Sequence, residues 1–180
     1  DPTSPMDDAA FGAAIDDFDK SVAVGFQAEE SRSLLHAMGR CLRHTMRTNA
    51  PLAESRRALA LRLDPALFAQ PISQHAPHVL QLPYGVFFVA GRHFSSFHVR
   101  FADVARGGLR VVAPADSEAH VAESRRHFLE CLNLAWAQQL KNKDIPEGGS
   151  KGVCLVTPGS SSKERAELLH GSVKATIDGM

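Results

Sequence analysis

The sequence is poor in cysteine, carries no net charge and contains no long apolar run, and each shortage removes a class of function. Its three cysteines, Cys41, Cys131 and Cys154, stand far apart with no Cys-x-x-Cys pair. That argues against a disulfide framework or a thiolate zinc site and fits a reducing compartment. Twenty Lys and Arg balance twenty Asp and Glu, whereas a dedicated nucleic-acid or acidic-membrane binder shows a basic excess. No stretch approaches the ~18 apolar residues of a membrane span. Asp1, Asp7, Asp8, Asp16, Asp17 and Asp19 precede or flank a single Lys20, the reverse of the basic start of an export signal. No cysteine sits in a nucleophile setting, so a cysteine-hydrolase reading loses support. Also missing is the Gly-x-Gly-x-x-Gly/Ala fingerprint of a dinucleotide-binding fold.

What is present suits one domain: 180 residues, 44% of them hydrophobic, enough to bury a core. The chain opens at Asp1 and stops at Met180 inside a helical pattern, so the expectation is a piece of a longer protein. Residues 1–27 read as an acidic, weakly ordered lead-in or short docking helix, and 28–180 as the domain proper. Helical spacing of Leu34, Leu35, Met38, Cys41, Leu42, Thr45 and Met46 predicts a helix over 28–47. Its basic stripe of Arg40, Arg43, His44 and Arg47 reads as a solvated face. Alternation in 57–63 predicts a strand with Leu59, Leu61 and Leu63 on one face. Runs at 84–90 and 95–102 read as a hairpin, 117–141 as a long helix, 153–157 as a short buried strand and 163–177 as a last helix. The fold class is α/β, a mixed sheet with flanking helices.

Two glycine-paired segments carry the chemistry. In 141–152, Lys141 precedes a turn-forming stretch and Gly148, Gly149 and Gly152 surround Ser150 and Lys151. Glycines there allow close approach or positive φ, and successive amides can form an anion nest. A lysine with so little bulk beside it can hold a carboxylate, or lose its proton if desolvated among cations. The order Ser-Lys-Gly is wrong for a phosphate loop. In the second segment, Arg106 and Arg110 flank Gly107 and Gly108, an arrangement suited to a carboxylate. Together they suggest a focused site for a small anion. His120, Glu123, His127 and Glu130 share a helix face, but without the i, i+4 histidine pair of a zinc helix or a third partner they are not read as a metal site.

At these segments the sequence resembles the large NAD-dependent glutamate dehydrogenases, of the Glu/Leu/Phe/Val dehydrogenase superfamily. Residues 97–110 resemble that family's strand and first substrate loop, 141–152 its catalytic-lysine loop, and Arg62-Leu63-Asp64-Pro65 an earlier strand end. The resemblance implies an N-terminal substrate and oligomerisation domain of amino-acid dehydrogenase type, lacking the Rossmann domain. It implies oxidative deamination of L-glutamate to 2-oxoglutarate and ammonia, as in amino-acid catabolism, with NAD held by a domain absent from this chain. Lys151 falls at the catalytic lysine, which helps activate the water attacking the imino carbon. Arg106 falls where smaller members place a carboxylate-binding lysine, with Gly107, Gly108, Gly148 and Gly149 closing the backbone on substrate. A second carboxylate-binding lysine of those members corresponds to Gln139, with Lys141 half a turn on. A homo-oligomer in cytoplasm or mitochondrial matrix is implied. The alternative is a non-catalytic carboxylate-binding or assembly module, because no nucleotide fingerprint is present.

Overall fold

The computed structural model describes residues 8–50, 57–141, 144–159 and 161–179. It comprises two compact units, Asp1–Met46 and Arg47–Met180.

The first unit is a helix pair, α1 (Asp8–Gly25) and α2 (Glu29–Arg43). The stretch expected as a lead-in is thus helical from Asp8 onward. Ile15 and Val22 of α1 are buried, and Gly39 of α2 leaves room for Phe18 and Asp19. Charge complements the packing. Asp19 Oδ1 lies 2.9 Å from His36 Nδ1, and Arg43 donates to Asp16 Oδ1 at 2.7 Å. Part of the basic stripe therefore answers the acids of α1. The helix expected to reach residue 47 stops at Arg43, and β1 (Thr45–Thr48) follows. Thr45 Oγ1 turns back to the Cys41 carbonyl at 2.9 Å. Asn49 then clamps the next strand, its Nδ2 donating to the Ala58 carbonyl at 2.9 Å and its Oδ1 accepting from the Ala60 amide at 2.7 Å.

The second unit continues with β2 (Leu59–Leu63), a 3-10 turn at Pro65–Phe68, α3 (Ala69–His75), β3 (Gly85–Gly91), β4 (Phe94–Arg100), β5 (Ala105–Arg106), β6 (Leu109–Val112), α4 (Ser117–Gln139), β7 (Gly148–Val156) and α5 (Ser162–Gly179). The sheet runs β1-β2-β3-β4-β7-β5, and β6 also pairs with β7. β2, β3, β4 and β7 are successively antiparallel, whereas β5 and β6 run parallel to β7. The expected hairpin is present, and the sheet is mixed and open. A parallel step needs a long crossover, which α4 supplies between β6 and β7. Asp116 caps α4 by accepting from the Ala119 amide at 2.8 Å, a contact worth ~1 kcal/mol.

Helices α4 and α5 cover opposite faces of the sheet. Against α4 lie Val99, Val153 and Phe101 with Cys131, Leu132, Ala135 and Trp136, and Phe97 meets His127 and Phe128 edge-on. On the opposite face, Ala58, Ala60, Val89, Phe94, Cys154 and Val156 pack with Ala175 of α5. Strand β2 alternates as expected, but the face that admits α5 carries Ala58 and Ala60, while Leu59 and Leu61 are only half-buried. Small side chains let the end of α5 come close: a Cβ on Gly179 would stand 3.4 Å from that of Ala60.

Candidate functional site

The glycine segment before Val153, expected as a loop, is the first half of β7. None of the described glycines has positive φ, so close approach is what requires them. A Cβ at Gly149 would stand 2.1 Å from the Gln139 nitrogen and 2.5 Å from the Ala135 carbonyl, so the end of α4 rests on that bare strand position. At Gly148 it would meet the Ala102 Cβ at 2.5 Å, and at Gly152 the Leu109 Cδ1 at 2.7 Å. The anion nest is not formed either, because the amides are spent within the protein. Gly148 donates to the Val104 carbonyl at 2.8 Å, Gly152 to the Gly108 carbonyl at 3.0 Å, and Gly149 to Gln139 Oε1 at 2.6 Å.

The second glycine pair lies beside the first. Ala105 pairs with Gly148 and Arg106 with Gly149, and pairing resumes with Leu109 opposite Gly152. Between these ladders Gly107 is pinned: a Cβ there would stand 1.8 Å from the Ser150 carbonyl oxygen. Gly108 leaves an opening that Lys151 fills, with Nζ 3.8 Å from where a Cβ would be. Side chains two apart share a face, so Arg106 and Arg110 flank that opening on the α4 side.

Three cations thus form a row in which the outer two are neutralised. Arg106 Nε lies 2.7 Å from Glu147 Oε1. Arg110 Nε lies 2.9 Å from Glu130 Oε1, a carboxylate supplied by α4. Lys151 has no carboxylate within ion-pair distance among the described residues. The local balance is one uncompensated positive charge on a half-buried side chain, framed by guanidinium groups with open edges. Such an arrangement favours an anion with more than one acceptor group.

Of the sequence-predicted residues, the fold gathers Lys151, Arg106, Gly107, Gly108, Gly148 and Gly149. Gln139 arrives too, with its oxygen engaged by the Gly149 amide. Lys141 is exposed just past Leu140, the C-cap of α4, and no described contact of its side chain joins it to the row. Sequence reasoning missed Glu147 and Glu130 as partners; adjacency to Gly148 was the one signal for Glu147, and Glu130 gave none. The helix-face quartet is used otherwise: Glu123 pairs with Arg126, Glu130 with Arg110, and His127 donates through Nε2 to the Val153 carbonyl at 2.8 Å. Among the described residues no cluster could hold a metal ion, and no helix is long and apolar enough to cross a membrane.

Burial controls the titrating groups nearby. Desolvation, aided by the Arg100 charge, lowers His98 to about 4, and desolvation also lowers His127. The Cys131 thiol, beneath Lys151 with Sγ 3.1 Å from that residue's carbonyl, is pushed up to about 12 by burial.

The sequence model of the bacterial NAD-glutamate dehydrogenase catalytic domain matches residues 22–178. The chain belongs to that family. It is 46% identical over 122 residues to the NAD-specific glutamate dehydrogenase of Saccharomyces cerevisiae, covering 67% of this chain and 11% of that protein. Glutamate dehydrogenase 2 of Dictyostelium discoideum is 41% identical over 136 residues, 76% of this chain and 12% of its own length. A probable NAD-specific glutamate dehydrogenase of Schizosaccharomyces pombe is 38% identical over 140 residues, covering 78% and 12%. The NAD-glutamate dehydrogenase relatives are therefore far longer, and the chain spans about 11% to 12% of the curated relatives it matches. The residues present do not offer the usual NAD cradle: no strand leads into a Gly-x-Gly-x-x-Gly turn, and the amides of Gly148, Gly149 and Gly152 are paired internally.

Proposed function

We propose that this chain is the substrate side of an NAD-dependent glutamate dehydrogenase, a domain of amino-acid dehydrogenase type within a longer polypeptide. The observation that carries the reading is the Lys151 ammonium, without a carboxylate partner among the described residues, between two arginines that already have one. Arg106 receives one substrate carboxylate, and the Gln139 amide nitrogen or Lys141 approaches the other. Gly107, Gly108, Gly148 and Gly149 let the backbone close around the dicarboxylate. Lys151, beside the reacting carbon, helps activate the water that replaces the imino nitrogen and so releases ammonia and 2-oxoglutarate. NAD, the hydride acceptor, is held outside this segment, which by itself binds substrate without turning it over. Membership of the Glu/Leu/Phe/Val superfamily, homo-oligomeric assembly and residence in cytoplasm or mitochondrial matrix belong to the same reading.

The test is a calorimetric titration of the chain with 2-oxoglutarate. Saturable binding that weakens with salt and is lost in Arg106→Ala is expected, with 2-oxobutyrate, one carboxylate short, binding more weakly. Equal binding of both acids, or undiminished binding by the variant, contradicts the assignment.

A further inference from the structure

The Arg106 and Glu147 pair is asymmetric in a way that a plain surface ion pair is not. The Glu147 side chain is only 11% exposed, whereas that of Arg106 is 61% exposed. Glu147 directly precedes Gly148, which pairs with Ala105, and Arg106 pairs with Gly149. The two backbones therefore hold carboxylate and guanidinium side by side. The 2.7 Å contact is an ion pair at Nε, the inner end of the guanidinium. The rest of the guanidinium stays accessible, the side chain being mostly exposed, on the sheet face shared with Lys151, two residues or about 7 Å along β7 from Gly149.

We propose that Glu147 is a positioning residue: it anchors the inner edge of Arg106 so that the outer edge is presented, in fixed orientation, to a carboxylate of the substrate. This rests on the dehydrogenase reading above. An arginine can serve two carboxylates at once because its donors lie on separate edges, whereas a lysine is a single point charge on a flexible stem. Glu147 also opposes the charge of Arg106, so the pair contributes mainly geometry, and Lys151 is the cation of the row without a carboxylate partner among the described residues. Fixing the fork before substrate arrives reduces the ordering cost of binding.

Steady-state kinetics of the full-length enzyme containing this segment test the proposal. Glu147→Gln keeps the shape and removes the charge. It should raise KM for glutamate about tenfold with kcat held within about twofold, the pattern of lost uniform binding. KM for NAD and the melting temperature should not move. In an Arg106→Ala background the same substitution should add nothing, because Glu147 acts through Arg106. An unchanged KM in Glu147→Gln, or an equal rise with and without Arg106, overturns the proposal. Should the amide variant fail to fold, Glu147→Asp retracts the charge by one methylene, and absence of a KM rise there overturns it equally. Lys151→Ala in the same enzyme separates the two readings. If it keeps turnover, the assignment of Lys151 as the catalytic lysine fails; if it is dead while Glu147→Gln is indistinguishable from wild type, only the role of Glu147 fails.

Discussion

Lys151 reaches over Gly108, its Nζ 3.8 Å from the position that a Cβ on residue 108 would occupy. The neighbouring glycine is in a different situation, since a Cβ on Gly107 would stand 1.8 Å from the Ser150 carbonyl oxygen. One glycine makes room for a long side chain, and the other lets two strands meet.

Gly107→Ala and Gly108→Ala should therefore behave oppositely. The first drives a methyl group into backbone and should cost at least the ~1–3 kcal/mol of overpacking. At roughly 2–4 °C per kcal/mol for a chain of this size, a thermal melt detects it readily. Gly108→Ala makes an ordinary contact and should melt like the wild type while weakening 2-oxoglutarate binding by restricting Lys151. Equal melting temperatures for the two variants would contradict the strand contact.

Gln139 is expected to show a split between stability and binding. Its Oε1 accepts from the Gly149 amide at 2.6 Å, so Gln139→Ala leaves that donor unpaired at a cost of ~1–3 kcal/mol. Gln139→Glu keeps the acceptor and should restore the melting temperature, yet its negative charge at the cation row should weaken dicarboxylate binding. Recovery of both properties by the glutamate variant would remove Gln139 from the site.

Acid should destabilise the fold well before carboxylates titrate. His98 is lowered to about 4 by desolvation and the Arg100 charge, and His127 is lowered by desolvation; unfolded histidines titrate near ~6.5. Between those values the unfolded state binds more protons, so stability rises with pH. The contribution is fully present above about 6.5 and is lost as pH falls toward about 4. Melting temperatures from pH 7.5 downward should fall through this window, and His98→Gln should flatten the fall. An unaltered pH profile in that variant would dissociate His98 from it.

The thiols should differ in reactivity. Burial raises all three, taking Cys131 to about 12, and Cys41 alone is not fully buried. Since the thiolate is the reactive form, an aromatic disulfide reagent should label Cys41 first in the native chain and reach Cys131 and Cys154 only on unfolding. Early labelling of Cys131 would mean that α4 opens from the sheet.

Local patterns carried the parts of the fold that local physics decides. The helical pattern over 117–141 located α4, and the β-rich runs around Gly91 located the β3–β4 hairpin. The first half of β7 was hidden because Gly148, Gly149 and Gly152 look like loop residues; what requires them is Ala102, Gln139 and Leu109, all brought near by tertiary structure. In β2 the alternation was legible, but the choice of face was not, because the small face of Ala58 and Ala60 is demanded by α5. The helix α1 was obscured by its acids, whose partners His36 and Arg43 lie in the next helix. Lys151 and Arg106 were visible from the residue types around them. That Arg106 and Arg110 are each matched by a carboxylate, leaving Lys151 unmatched, depends on the parallel pairing of β5 and β6 with β7 and on α4 crossing above them.

The most direct measurement is glutamate turnover with NAD by the full-length enzyme containing this segment, comparing wild type with Lys151→Ala. Loss of a positioned acid–base group costs ~10²–10⁴-fold, so a fall in kcat of that size is expected with the melting temperature retained. Lys163→Ala, an exposed α5 position far from the row in sequence, should behave as wild type. Turnover of Lys151→Ala within a few-fold of wild type would contradict the assignment of Lys151 as the catalytic lysine.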